Sequence, residues 1–250
     1  MKLLSQKIAL ITGASRGIGA ATAKLLAAHG ASVAVNYARS AEAADQVVQE
    51  IAKAGGRALA VQADVSDPEQ IKQMVDTIKN ELGIIDIMVL NAGFTFPTVP
   101  FIQYPWQDFE KKLTNEIKSA FFCCKEVVPM MLEKKSGCIV AVSSGLSRQP
   151  GVGFVAHSSA KSALDAFVKS LALELGPEGI RVNVVAPGLT ETDAISHMPE
   201  EIKKQMADHT PLRRNAMPDD IAGAVLMMAS EETRFVTGAY LPVSGGGHMI

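Results

Sequence analysis

Cysteine is scarce in this sequence: Cys123, Cys124 and Cys138 are the only three in 250 residues. The odd count and the lack of metal-ligand spacing argue against a disulfide framework and a cysteine zinc site, and Cys123 and Cys124 sit in an apolar helical stretch. They read as buried thiols in a reducing compartment. Aromatic residues are only 5% of the chain and are not interleaved with a basic run; with a formal net charge of -2, nothing favours nucleic acid as a partner. Long apolar runs are missing too. The opening MKLLSQKIALITG is broken at Ser5, Gln6 and Lys7, too early for a signal-peptide core, and no run approaches transmembrane length. A cytoplasmic protein with no membrane and no nucleic-acid partner is expected. There is also no linker, low-complexity break or internal repeat, so one domain over 1–250 is expected, with 48% hydrophobic residues to fill its core.

What is present is an alternation of short β-branched runs with longer segments of helical period. Strands are predicted at 7–12, 32–36, 57–61, 86–90, 137–143, 180–185 and 239–243. Helices are predicted at 17–29, 40–54, 67–82, 106–132, 154–175 and 218–230, with Pro129 as a kink or early end in the fourth. This order predicts an α/β fold with a doubly wound parallel sheet of about seven strands and helices on both faces, ligands lying at the carboxyl ends of the strands. The stretch 187–217 is long for a connection and reads as a substrate-binding loop.

After the first strand comes Thr12-Gly13-Ala14-Ser15-Arg16-Gly17-Ile18-Gly19. Glycines at this spacing permit a tight turn, close approach of backbone to a pyrophosphate, and close packing of helix on strand. The helix N-terminus offers free N–H groups and a positive dipole end to the phosphates. Glycines also serve ordinary turns, but the placement between strand one and helix one favours a dinucleotide site. The second strand ends in Asn36-Tyr37-Ala38-Arg39-Ser40, with no carboxylate to repel a 2′-phosphate. Arg39 and Arg16 can pair with such a phosphate and Ser40 can donate to it, so NADP(H) is expected rather than NAD(H).

The segment Ser144 to Lys161, SGLSRQPGVGFVAHSSAK, sets a hydroxyl, an imidazole and an ammonium at spacings of thirteen and four. Four residues on a helix are one turn, so His157 and Lys161 share a face.

TGASRGIG at Thr12 to Gly19, Asp64, NAG at Asn91 to Gly93, Asn115, Ser144, Lys161 and PG at Pro187-Gly188 together resemble the short-chain dehydrogenases/reductases, above all the 3-oxoacyl-[acyl-carrier-protein] reductases. ETD at 191–193, TPLRR at 210–214 and the LPVSGG end extend the likeness over nearly the whole chain. The resemblance implies a single NADP-binding Rossmann domain, a tetrameric oxidoreductase, and a role in fatty acid or polyketide biosynthesis. It places Asp64 and Val65 near the adenine and lines the cofactor cleft with Asn91, Ala92 and Gly93. It also sets Lys161 on the nicotinamide ribose, and Pro187, Gly188 and Thr190 near the nicotinamide amide. The implied catalytic group is Asn115, Ser144, His157 and Lys161, where Ser144 bonds the substrate carbonyl and Asn115 holds a relay water. Position 157 is the family's tyrosine, the proton donor, and here it is histidine.

An imidazolium can protonate an alkoxide, and its ordinary pKa of about 6.5 suits neutral pH. Lys161, however, stabilises a phenolate but disfavours an imidazolium, so it tends to leave His157 neutral. Three readings follow. One is an NADPH-dependent reductase of a 3-oxoacyl thioester or similar ketone, free or carried on an acyl carrier protein, with His157 or a held water as donor. Another is a catalytically weak pseudoreductase subunit that binds NADP(H) and pairs with an active reductase in a hetero-oligomer rather than a homotetramer. The last is different chemistry at Ser144 and His157, for which Asp165 lies two turns away, too far to orient the imidazole. The blandest alternative is a histidine that only fills space on a buried helix face. His29, His197, His209 and His248 show no metal-ligand spacing, so no metal is expected. Ile195, Met198, Met206, Leu212, Phe94, Phe96 and Val152 are candidates for an apolar pocket, and Lys134, Lys135 and Arg148 for contact with an acidic carrier, although Glu178 stands where a further basic residue would help.

Overall fold

A computed structural model describes residues 2–196 and 198–249. Its centre is one parallel sheet of β1 (Ile8–Ile11), β2 (Ser32–Tyr37), β3 (Arg57–Gln62), β4 (Ile87–Leu90), β5 (Gly137–Val142), β6 (Ile180–Pro187) and β7 (Tyr240–Val243), in the order β3-β2-β1-β4-β5-β6-β7. The chain winds outward from β1 to β3, then returns to β4 on the other side of β1. That reversal opens a crevice at the carboxyl ends of β1 and β4, where open α/β sheets take their ligands.

The period of two along each strand sends alternate residues to opposite faces. Leu10, Met88, Ile139 and Val182 pack under α3 (Pro68–Glu81), α4 (Trp106–Lys134) and α5 (Val155–Leu175), against residues such as Ile78, Met131 and Val168. Ile11, Val33, Val89 and Val185 pack under α1 (Gly17–Ala28), α2 (Ala41–Lys53) and α7 (Pro218–Ala229), against Leu26, Val47 and Val225. With two covered faces, the strands are continuous apolar runs rather than amphipathic ones. The expected α/β architecture, single-domain and doubly wound with helices on both faces, is the observed one. No helix among the described residues is long and apolar enough to cross a membrane.

Local chemistry explains most element ends. Asp67 caps α3 by accepting from the N–H groups of Glu69 and Gln70, and Pro68 occupies the first helical position. Two expectations are corrected. Pro129 does not end α4, which continues to Lys134. Pro129 is exposed, so the Lys125 carbonyl that loses its helical partner lies on an outer face where solvent can satisfy it. Nor is 187–217 all loop: it holds α6 (Glu200–His209), a short helix that buries no residue and whose apolar side chains Ile202 and Met206 are exposed, a pattern too short to mark a helix in sequence.

The three cysteines are free and buried, and burial pushes their thiols up, Cys138 to about 11 and Cys123 to about 12. They are inert thiols at neutral pH.

Candidate active site

The crevice between β1 and β4 is stitched by two side chains. Thr12 Oγ1 accepts from the backbone N–H groups of Asn91 (2.9 Å) and Ala92 (3.0 Å), and Asn91 Nδ2 donates to the carbonyls of Thr12 (2.9 Å) and Gly13 (3.1 Å). Against this frame the glycine turn fits tightly. Gly13 has φ +61°, and a Cβ on Gly19 would stand 2.5 Å from the Gly13 carbonyl oxygen and 2.6 Å from Asn91 Nδ2. Only glycine allows so close an approach. Asn36, buried in β2, accepts from Gly13 N–H at 3.1 Å and donates to the Ala63 carbonyl at 3.1 Å, locking the turn to the end of β3. Its role as a brace is invisible in sequence, where it is only a missing carboxylate.

Arg16 precedes α1 without a side-chain cap on the helix, so the first N–H groups remain available to an anion. Ser15 and Ile18 are half-buried beside it. Arg16 and Arg39 are exposed, and Ser40 begins α2 with a hydroxyl that caps nothing. The Asp64 carboxylate accepts from Ser66 N–H (2.9 Å) and Oγ (2.7 Å), and Val65 is buried, so this corner is built before any ligand arrives. On the far side Gly188 N–H bonds the Val243 carbonyl at 3.0 Å, and Thr190 Oγ1 donates to the Gly188 carbonyl at 3.1 Å. A Cβ on Gly17 would stand 3.4 Å from Thr192 Cγ2, so the segment after Pro187 closes over the glycine turn. Backbone cradle, free helix N-terminus and closing segment together fit a dinucleotide.

Beyond the crevice, β5 delivers Ser144 and α5 delivers His157 and Lys161. Ser144 opens a short 3-10 turn, its Oγ accepting from Leu146 N–H at 3.2 Å while Tyr240 Oη donates to its carbonyl at 3.2 Å. Lys161 Nζ, almost fully buried, donates to the Val142 carbonyl at 2.7 Å and forms an ion pair with Glu116 Oε1 at 2.6 Å. Glu116 Oε2 lies 2.7 Å from Lys112 Nζ, and Lys112 in turn donates to the Phe94 carbonyl at 3.1 Å and sits 5.2 Å from the centre of the Phe96 ring. Phe96 stacks on the His157 imidazole with centroids 4.7 Å apart.

Asn115 makes none of these contacts. It is half-buried with no side-chain partner among the described hydrogen bonds, whereas its neighbour Glu116 is 3% exposed and touches Lys161. One residue on a helix is about 100° of rotation, which separates a buried face from an outer one. Glu116 and Lys112 are the residues that sequence reasoning missed. Their only signal is an i, i+4 acid–base pair, which normally marks a solvated helix face.

The charges settle the protonation states. Burial alone pushes the Glu116 carboxyl up, but the Lys161 and Lys112 ammoniums outweigh it and hold the group down at about 2. Burial first, then the Lys161 and Lys112 charges, lower His157 to about 3, against a smaller opposing pull from Glu116. Its Nδ1 is buried with no hydrogen-bond partner. At neutral pH the imidazole is therefore uncharged, as the Lys161 argument anticipates, although burial is the larger cause.

Asp165 is bound to Ser147 Oγ (2.6 Å) and Arg148 (3.6 Å) rather than aimed at His157, so among the described residues no carboxylate orients the imidazole for a nucleophilic serine. Lys134 pairs with Asp86 just before β4, and Lys135 ends α4 just before β5; both stand at the amino end of the sheet, away from Ser144. Arg148 is engaged by Asp165 and the Tyr240 ring, 4.7 Å away. Of the expected pocket residues Phe96 stacks on His157, whereas Val152 is 91% and Leu212 66% exposed. No cluster of potential metal ligands exists among the described residues, and His197 lies outside them.

Residues 13–248 match the family described as enoyl-(acyl carrier protein) reductase. The chain is 37% identical over 243 residues to a 3-oxoacyl-[acyl-carrier-protein] reductase of Staphylococcus aureus, covering 97% of this chain and 98% of that one. It is 36% identical over 242 residues to cis-4-hydroxycyclohexanecarboxylate dehydrogenase of Sinomonas cyclohexanicum, covering 97% and 96%. Among solved structures, a 7 alpha-hydroxysteroid dehydrogenase complexed with NADH and 7-oxo glycochenodeoxycholic acid superposes with a TM-score of 0.93 at 38% identity, covering 98% of this chain and 95% of that one.

Proposed function

The chain belongs to the short-chain dehydrogenase/reductase family, and from that premise we propose that it is an NADPH-dependent reductase of a 3-oxoacyl thioester or a similar ketone. Support comes from the tight glycine turn at the crevice and from the buried Lys161, held by Glu116 and the Val142 carbonyl on the helix that also carries His157. The bound dinucleotide would supply the hydride. Ser144 Oγ donates to the substrate carbonyl and holds it. Lys161 Nζ is engaged by the Val142 carbonyl and the Glu116 carboxylate, and an ammonium has three N–H groups, which leaves one for a ribose hydroxyl. The immediate donor to the nascent alkoxide is a water held between Ser144 and His157, which regains its proton from bulk solvent, because a neutral imidazole is a poor acid but a good partner for water.

The test is NADPH oxidation with a short 3-oxoacyl thioester. Wild type should turn over above background, and His157→Phe should lower the rate roughly a hundredfold, the lower end for a positioned proton donor. A second reading draws on Phe96 lying flat on an uncharged His157: a pseudoreductase subunit that keeps the cofactor and pairs with an active reductase. The exposed apolar side chains Phe121 on α4 and Leu173 on α5 support an oligomer on either reading. Activity seen only in His157→Tyr would select the second reading.

The choice of NADPH rests on Arg16 and Arg39 with Ser40, and on the lack of a carboxylate at the end of β2. Arg39→Ala should weaken NADPH binding by roughly 10-fold or more, the value of a charge-assisted hydrogen bond, and leave NADH within about twofold. Equal losses for the two cofactors, measured by fluorescence titration, would refute the 2′-phosphate contact.

A further inference from the structure

Three ionised side chains, Lys112, Glu116 and Lys161, are each at most 7% exposed on the side-chain atoms and form one continuous chain of ion pairs close enough to bear on His157. Such a group is costly to bury, and a helix pair of this kind adds little stability compared with apolar residues of the same size. Its geometry offers a reason for its presence. The Glu116 carboxylate fills the space on one side of Lys161 Nζ, the Val142 carbonyl takes another direction, and both bonds are short and fixed by regular elements, α4 and β5. The ammonium is thereby held in one orientation. On the other flank Lys112 secures the second oxygen of Glu116 and ties the same chain to the Phe94 carbonyl, just after Asn91 to Gly93 at the crevice.

We infer that Glu116 is a positioning residue for the cofactor: it aims the remaining N–H of Lys161 at the nicotinamide ribose, and Lys112 is the buried counter-cation that fixes Glu116 for this task. The inference rests on the reading of Lys161 as a ribose ligand under the proposed function. It adds two residues, and makes Lys161 a member of a rigid chain rather than a free arm. Lys161 has three N–H groups, and removing the oxygen at position 116 leaves two of them to seek new partners, so the aim is lost while the charge stays.

Paired substitutions separate aim from stability. Lys112→Met/Glu116→Leu removes one positive and one negative charge, so the net charge of the buried group is unchanged and similar volumes remain. This variant leaves Lys161 without its carboxylate, so it should melt between wild type and Glu116→Leu alone, and at a temperature where it is folded it should bind NADPH about 10-fold more weakly by fluorescence titration. Lys112→Met/Glu116→Gln keeps an amide oxygen for Lys161 and should bind within about threefold of wild type. Wild-type affinity in the leucine double variant would overturn the inference, and so would a glutamine double variant as weak as the leucine one. The glutamine comparison with wild type stands even if the leucine variant does not fold. Wild type that binds neither NADPH nor NADH would instead refute the proposed function itself, and the inference with it.

Discussion

Glu116→Leu alone should destabilise the fold by about 3–5 kcal/mol, the cost of breaking a buried ion pair from one side. The carboxylate serves two ammoniums at once, at 2.6 and 2.7 Å, and its loss leaves both without an anion in a site where Lys112 is 2% exposed. Lys112, already pushed down by burial, would then lose its proton rather than stay charged. Adding Lys112→Met should return part of the loss, because an apolar side chain replaces one of the two ammoniums that Glu116 neutralised. Urea denaturation of the two variants and wild type checks this. A single variant within 1 kcal/mol of wild type would mean that solvent reaches the group and shields it.

Acidification should destabilise the wild type through His157, by an amount on the order of 4 kcal/mol between pH 6.5 and pH 3. In the unfolded chain the imidazole takes its proton at its ordinary value of 6.5, whereas in the folded protein it resists until about 3. The unfolded state therefore binds more protons throughout that window, and folding stability falls as the pH falls. Above 6.5 neither state is protonated and the effect vanishes. Glu116 adds a loss of the same sign from about 4.5 down to about 2, where its folded-state carboxylate finally gives way. His157→Gln removes the first of these and should flatten the stability curve between pH 6.5 and 4.5, while leaving the steeper fall below. Parallel curves for the two proteins, followed by denaturant midpoint at several pH values, would show that His157 is not held neutral by its surroundings. The same neutrality is why a held water, and not an imidazolium, is the donor in the proposed reaction.

Much of the fold was legible because its signals are local. Glycines that stop helices, Asp67-Pro68 at the start of α3, and apolar runs covered on both faces fixed the strand and helix order to within a few residues. The spacing of His157 and Lys161 likewise placed them on one face of α5, and the family's ordered motifs located the cradle. Other features were illegible for physical reasons. Pro129 carries the same sequence signal whether it breaks a helix or sits on its exposed side. Lys112 and Glu116 look like a surface pair, since periodicity says which residues share a face but not which face another element covers. Asn115 and Glu116 differ by one position, and only the packing of α4 against α5 decides which of them meets Lys161.

By itself, then, the sequence determined the parallel sheet, the glycine turn, and the sharing of one helix by His157 and Lys161, because backbone geometry turns fixed spacings into fixed neighbours. Tertiary structure alone decided the state of that pair. Burial made His157 neutral, the approach of α4 to α5 put a carboxylate on Lys161, and the turn after β4 laid Phe96 on the imidazole. Charge states depend on the distance to other charges and to water, and those distances exist only once the chain has folded.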